Sequence, residues 1–199
     1  MNSAITLKDI TPLAFYRSSR EEYVKRMIAY KKSRRVKLME NISLLFENRD
    51  TVLYQIQELA HSEDLTDPKE LAEYIEIYSG MLPGHSELSA TLFLEMDNQL
   101  KLEEFLVKLK GIEHHLSLQV GSESVQAVFE EVHDDREFTT SVHYLKFPLP
   151  KTAAHTLQQA ASDDAIKVEL VLAHPNLHAQ VALSQDTIKS IAKDLSVVN

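Results

Sequence analysis

From Leu88 to Met96 the chain alternates without a break. Leu88, Ala90, Leu92, Leu94 and Met96 fall on one side, and Ser89, Thr91, Phe93 and Glu95 on the other. Side chains of a strand point to opposite faces in turn, so this run predicts a strand with one apolar face, as in an antiparallel sheet. Shorter runs bracket tight turns. Residues 116–120 and 125–129 flank Gly121-Ser122, and 166–173 and 179–183 flank His174-Pro175-Asn176; both read as hairpins. Further strands are expected over 42–46 and over 138–147, the latter halted by Pro148 and Pro150.

Helical spacing fills the rest. Tyr16, Tyr23, Val24, Met27, Ile28 and Tyr30 make a first stripe, and Val52, Leu53, Ile56, Leu59 and Ala60 a second. Asp67-Pro68 pairs a cap with a proline suited to a first turn, opening a helix with Leu71, Tyr74, Ile75 and Tyr78. Helices are also expected over 101–110 and 152–161, and at the C-terminus on Ile188, Ile191, Ala192 and Leu195. No βαβ rhythm connects these elements. The expected class is therefore α+β: a mixed, largely antiparallel sheet with helices packed on it and a helical N-terminal layer. Residues 1–199 read as one domain, with 1–37 a candidate helical N-terminal subdomain. Val24, Met27, Leu44, Phe46, Leu53, Ile56, Leu92, Leu94, Leu118, Val168, Leu170 and Ile191 occupy the inward phase of their elements and are the expected core.

Charge is unevenly spread. Residues 1–50 carry 11 basic and 6 acidic side chains, a net of +5, while the other 149 carry 10 and 24, a net of −14. Within 17–37, nine cations face only Glu21 and Glu22. Lys31, Lys32, Arg34, Arg35 and Lys37 thus form a candidate anion- or partner-binding surface on a basic helix spanning 17–37. No apolar run approaches the roughly 18 residues of a membrane span, and no signal-peptide pattern opens the chain, so a cytoplasmic protein away from membranes is expected.

Familiar sites lack their residues. Zero cysteines exclude disulfides, thiolate zinc sites and a thiol nucleophile. The four glycines form no Rossmann fingerprint, P-loop or nucleophile elbow. Glu-x-x-His, a di-iron spacing, occurs at Glu58/His61 and Glu130/His133, but 19 Glu and 9 His among 199 residues give about one match by chance. The acidic stretch Glu130, Glu131, Asp134, Asp135 and Glu137 lacks the glycine of a calcium loop. No metal site or cofactor is assigned.

The strand-to-helix junction stands out. In Phe46-Glu47-Asn48-Arg49-Asp50-Thr51, Asn48 or Asp50 suits a helix cap, but Arg49 opposes the helix dipole. It needs either a carboxylate, with Glu47, Glu58 and Glu95 the candidates, or a bound anion. Gln55 and Glu58 follow on the polar face of the helix. The candidate polar site is therefore Glu47, Asn48, Arg49, Gln55, Glu58 and Glu95.

Phe46-Glu47-Asn48-Arg49, with Thr51 and Gln55-Ile56-Gln57-Glu58, resembles the signature of an uncharacterised bacterial family, domain of unknown function 3501. Leu88-Ser89-Ala90-Thr91 with Glu95, and the strand Val142–Phe147, extend the likeness over nearly the whole chain. Leu177 departs from it, standing where relatives often carry tyrosine after a His-Pro turn. The family has no established activity or cofactor. The resemblance implies an accessory role in a redox or peroxide-handling system, beside rubrerythrin-like di-iron proteins and iron–sulfur oxidoreductases. Two other readings stand beside it. One is a metal-binding or acid/base enzyme at 46–58, with Glu47, Glu58 and Glu95, joined by His61 or His143, suiting non-haem iron or manganese better than zinc. The other is polyanion binding, nucleic acid included, through the basic helix; the overall pI near 5.5 weighs against it.

Overall fold

The computed structural model describes residues 4–129 and 138–195. Helices α1 (Leu13–Lys32), α2 (Arg49–Ser62) and α3 (Pro68–Ser79) gather toward the N-terminal end of the chain. Strands β1 (Arg35–Met39), β2 (Ile42–Glu47), β3 (Glu87–Leu94) and β6 (Val142–Pro148) form one antiparallel sheet in the order β1-β2-β3-β6. Strands β5 (Glu123–Gln126), β4 (Leu116–Val120), β7 (Val168–His174) and β8 (Leu177–Ala182) form a second, in the order β5-β4-β7-β8. Helices α4 (Gln99–Lys108), α5 (Lys151–Ala160) and α6 (Gln185–Ala192) complete the described elements. The α+β class holds, and the strands divide between two sheets.

The sheets share one interior. Val36, Leu44, Phe46, Ala90, Leu92, Leu145 and Phe147 of the first meet Leu118, Val125, Val168, Leu170 and Leu172 of the second, with Leu157 and Ile191 of α5 and α6. The sheet edges also adjoin. Val128, just past β5, exchanges backbone hydrogen bonds of 2.7 and 2.9 Å with Lys146 of β6, and β1 lies against β8. A smaller apolar cluster of Ile5, Ile10, Val52, Ile56, Ile75 and Met81 ties α2 and α3 to the N-terminal segment. Of the expected core, all are buried except Val24 and Leu53, which are half-buried. Among the described residues no helix is long and apolar enough to cross a membrane.

Local chemistry sets the boundaries. The Asn48 side chain accepts from the Asp50 and Thr51 amides at 3.1 and 3.2 Å, while Thr51 Oγ1 accepts from the Asn48 amide at 2.9 Å, a reciprocal cap on α2. Asp67 caps α3 through the Lys69 amide at 2.9 Å, with Pro68 in the first turn. Gly121, at φ +58°, makes the β4–β5 turn.

Two expectations are corrected. The basic stretch is not one helix to residue 37: α1 stops at Lys32, and Arg35–Met39 pairs with β2 as β1. Val36 takes an inward place opposite Leu44, which a continued helix would forfeit. Nor does β3 have one wet face. Ser89 and Thr91, on the side away from the core, are buried along with Leu45 and Glu47, because side chains from the helical layer cover that face. The acidic stretch 130–137 and the Glu130/His133 pair lie outside the described residues.

Candidate functional site

The site grows from the register of the first sheet. Glu47 stands opposite Ser89, and Ser89 opposite Lys146; in the next row Leu45 stands opposite Thr91, and Thr91 opposite Tyr144. Alternation places all of these on the face away from the core. Since β2 runs straight into α2 and α1 leads into β1, the helices meet this face at a corner. Glu47 lies at its base.

Only 3% of Glu47 is exposed. Its Oε1 accepts from the Thr91 hydroxyl at 2.7 Å; its Oε2 is buried with no hydrogen-bond partner among the described residues. Buried carboxylate oxygens are nearly always satisfied, so an orphan marks a place where a donor is called for. Lys31 and Tyr144 both feel the Glu47 charge, and Gln55 of α2 also acts on the Tyr144 phenol. Burial pushes the Tyr144 phenol up, helped by Tyr78 and Glu47. Burial also pulls the Lys31 ammonium down, with Arg35 adding to the effect and Glu47 opposing it.

Two cations line the rim, and each rests on an aromatic ring. The Lys31 ammonium sits 4.6 Å from the Tyr54 ring centre, and the Arg35 guanidinium 5.0 Å from that of Phe93. Arg35 also donates to Ser43 Oγ at 2.9 Å.

The other expected site residues scatter. Asn48 donates to the Tyr30 hydroxyl at 2.7 Å and to Asp194 at 2.9 Å. Arg34 is fully buried and cannot belong to a docking surface, a correction to the basic patch. Its guanidinium pairs with Asp194, donates to the Phe46 carbonyl at 2.8 Å and reaches Ser190 Oγ at 3.0 Å, because desolvating that cation requires oxygens on every side. Burial pushes the Asp194 carboxyl up, with Arg34 and Asn48 pulling it back. Arg49 is partly buried as expected, with 24% of its side chain exposed, but among the described residues the carboxylate it meets is Asp9, at 2.6 Å. The N-terminal turn Leu7–Asp9 supplies that partner from outside the three carboxylates foreseen. Glu58 faces α1, accepting from Tyr16 at 2.6 Å and from Arg20 at 2.8 and 2.7 Å. Glu95 is exposed beyond the end of β3. Lys32 and Lys37 are exposed.

Of the six candidate polar residues, Glu47 and Gln55 therefore share the corner. Lys31, Thr91 and Tyr144 join them. Thr91 and Tyr144 could be found from strand parity once β3 and β6 are paired; Lys31 carried no signal separating it from its solvated neighbours. Among the described residues no three His, Asp or Glu side chains stand together to hold a metal ion. A separate cleft of about 380 Å³ opens between α1 and α2, floored by Leu53 and Gln57 and walled by Tyr16, Tyr23 and Arg26.

A family model described as "Protein of unknown function (DUF3501)" matches residues 4–195. The crystal structure of a novel protein of unknown function from Burkholderia pseudomallei K96243 is similar at 30% identity and a TM-score of 0.90, covering 98% of this chain and 100% of that one. No curated protein matches. The three segments that carry the sequence resemblance, around 46–58, 88–95 and 142–147, converge on the corner: Glu47 and Gln55 come from the first, Ser89 and Thr91 from the second, and Tyr144 from the third.

Proposed function

The chain belongs to the DUF3501 family of proteins of unknown function, and from that premise we propose that it is a binding protein whose site is the corner at Glu47. In this reading it works in the cytoplasm as an accessory to a redox or peroxide-handling system, holding a polar small molecule for that system. The orphaned Oε2 of Glu47 carries the proposal: a buried carboxylate oxygen without a donor is costly, and a ligand donor would satisfy it. Thr91, Gln55 and Tyr144 supply further polar atoms, and the cations stacked on Tyr54 and Phe93 supply charge at the rim. The test is an amide-resolved NMR titration of the labelled chain with a library of small polar metabolites. Perturbations clustered at 47, 55, 91 and 144 support the reading, and a library that moves none of them defeats it.

A second reading, docking of an acidic redox partner such as a di-iron or iron–sulfur protein, draws support from the exposed cations Lys32, Arg35 and Lys37. Charge reversal at all three should slow association with such a partner at low salt. Unchanged association rates would remove it.

A further inference from the structure

We propose, resting on the corner as the binding site, that its ligand is a small zwitterion carrying an ammonium group beside a carboxylate, of which an α-amino acid is the simplest. The two ends of the corner ask for opposite charges. At the base, Glu47 presents a carboxylate oxygen that accepts nothing from the described residues. A desolvated carboxylate bonds most strongly to a charged donor, which favours an ammonium over a hydroxyl. At the rim, Lys31 and Arg35 are close enough to feel each other's charge, and neither is paired with a carboxylate among the described residues; each rests on a ring instead. An anion between them would relieve their repulsion and accept from both. Arg35 stands opposite Leu45, two places from Glu47 on the same face of β2, and Phe93 lies two places from Thr91 on β3, so the two demands lie within the span of one compact molecule. Since Glu47 Oε2 is sealed in this structure, the rim must part to admit the ammonium, and the four-carbon stem of Lys31 is the flexible element of that rim.

The experiment uses the full-length labelled chain and matched triads built on alanine, leucine and phenylalanine. Each triad holds the amino acid, the acid lacking its amine, and the amine lacking its carboxylate. At least one amino acid should bind about tenfold tighter than both of its matched partners, moving the amides of Glu47, Thr91 and Tyr144. Glu47→Gln should bring its affinity down toward that of the matched acid, and Lys31→Met toward that of the matched amine. An acid that binds as tightly as its amino acid would overturn the zwitterion while leaving the site intact. Binding of metabolites at the corner with all three triads silent would do the same. Silence from the triads and from the wider library together would overturn the site as well. The comparison among wild-type titrations stands even where a variant fails to fold.

Discussion

The Thr91 hydroxyl donates to Glu47 Oε1 at 2.7 Å, and this bond between neighbouring strands satisfies one oxygen of a buried carboxylate while the other goes without. Glu47 is therefore held in place through one of its two oxygens. Thr91→Val keeps the shape and removes the donor, leaving a fully buried carboxylate with no partner. The variant should lose about 1–3 kcal/mol in urea unfolding. Glu47→Gln in the same background should recover part of that loss, since the charge left stranded is gone.

The buried Arg34–Asp194 pair is a different case. Arg34→Met strips the cation and abandons a carboxylate deep beside Asn48, and should lower stability by about 3–5 kcal/mol. Adding Asp194→Leu should restore much of it, because the pair's main cost is that of leaving one member alone. Chemical denaturation of the two single variants and the double variant forms the cycle that decides this.

Arg49 and Asp9 tie the N-terminal turn to the start of α2 while remaining partly exposed. Their loss should act locally. Arg49→Ala should leave the unfolding midpoint nearly unchanged while speeding hydrogen exchange at the Asp9 and Ile10 amides, which bond back to Thr6 and Leu7. A global loss of stability would contradict this local role.

Glu58 makes stability depend on acid. The Arg20 hydrogen bonds, and then that of Tyr16, hold its carboxyl below the ordinary glutamate value against the opposing effect of burial. A folded value below the unfolded one means stability that is present above the unfolded value and is lost as pH falls through the folded one. The Glu58→Gln variant should therefore show a flatter loss of stability below the ordinary glutamate value than the parent. Thermal melts across that acidic range would show it.

Much of the fold was legible because its signals are local. Alternation located β3, turn residues located the two hairpins, and Asn48 and Asp67 announced the starts of α2 and α3. The errors came where distant parts of the chain decide. Arg35-Val36-Lys37 looks like the cationic tail of α1, and only pairing with β2 makes it a strand. Arg34 looked solvated because its acidic partner stands 160 residues away. Strand parity put Thr91 on the side away from the core, yet neither the extension of β2 to Glu47 nor the burial of that side could be read from it. Arg49 needed a carboxylate, as its position near a helix start required, but the identity of Asp9 depends on how the N-terminal segment packs.

The link from Arg34 and Asn48 to Asp194 also imposes an order of events on a chain made from its N-terminus. Until the last helix has left the ribosome, the buried guanidinium has no acid to meet and the cap residue beside Glu47 lacks one of its acceptors. Contacts this far apart close late, after the local hairpins and helices. The cap that opens α2, one residue past Glu47, is thus a part of the molecule that a chain stopped short of Asp194 cannot finish.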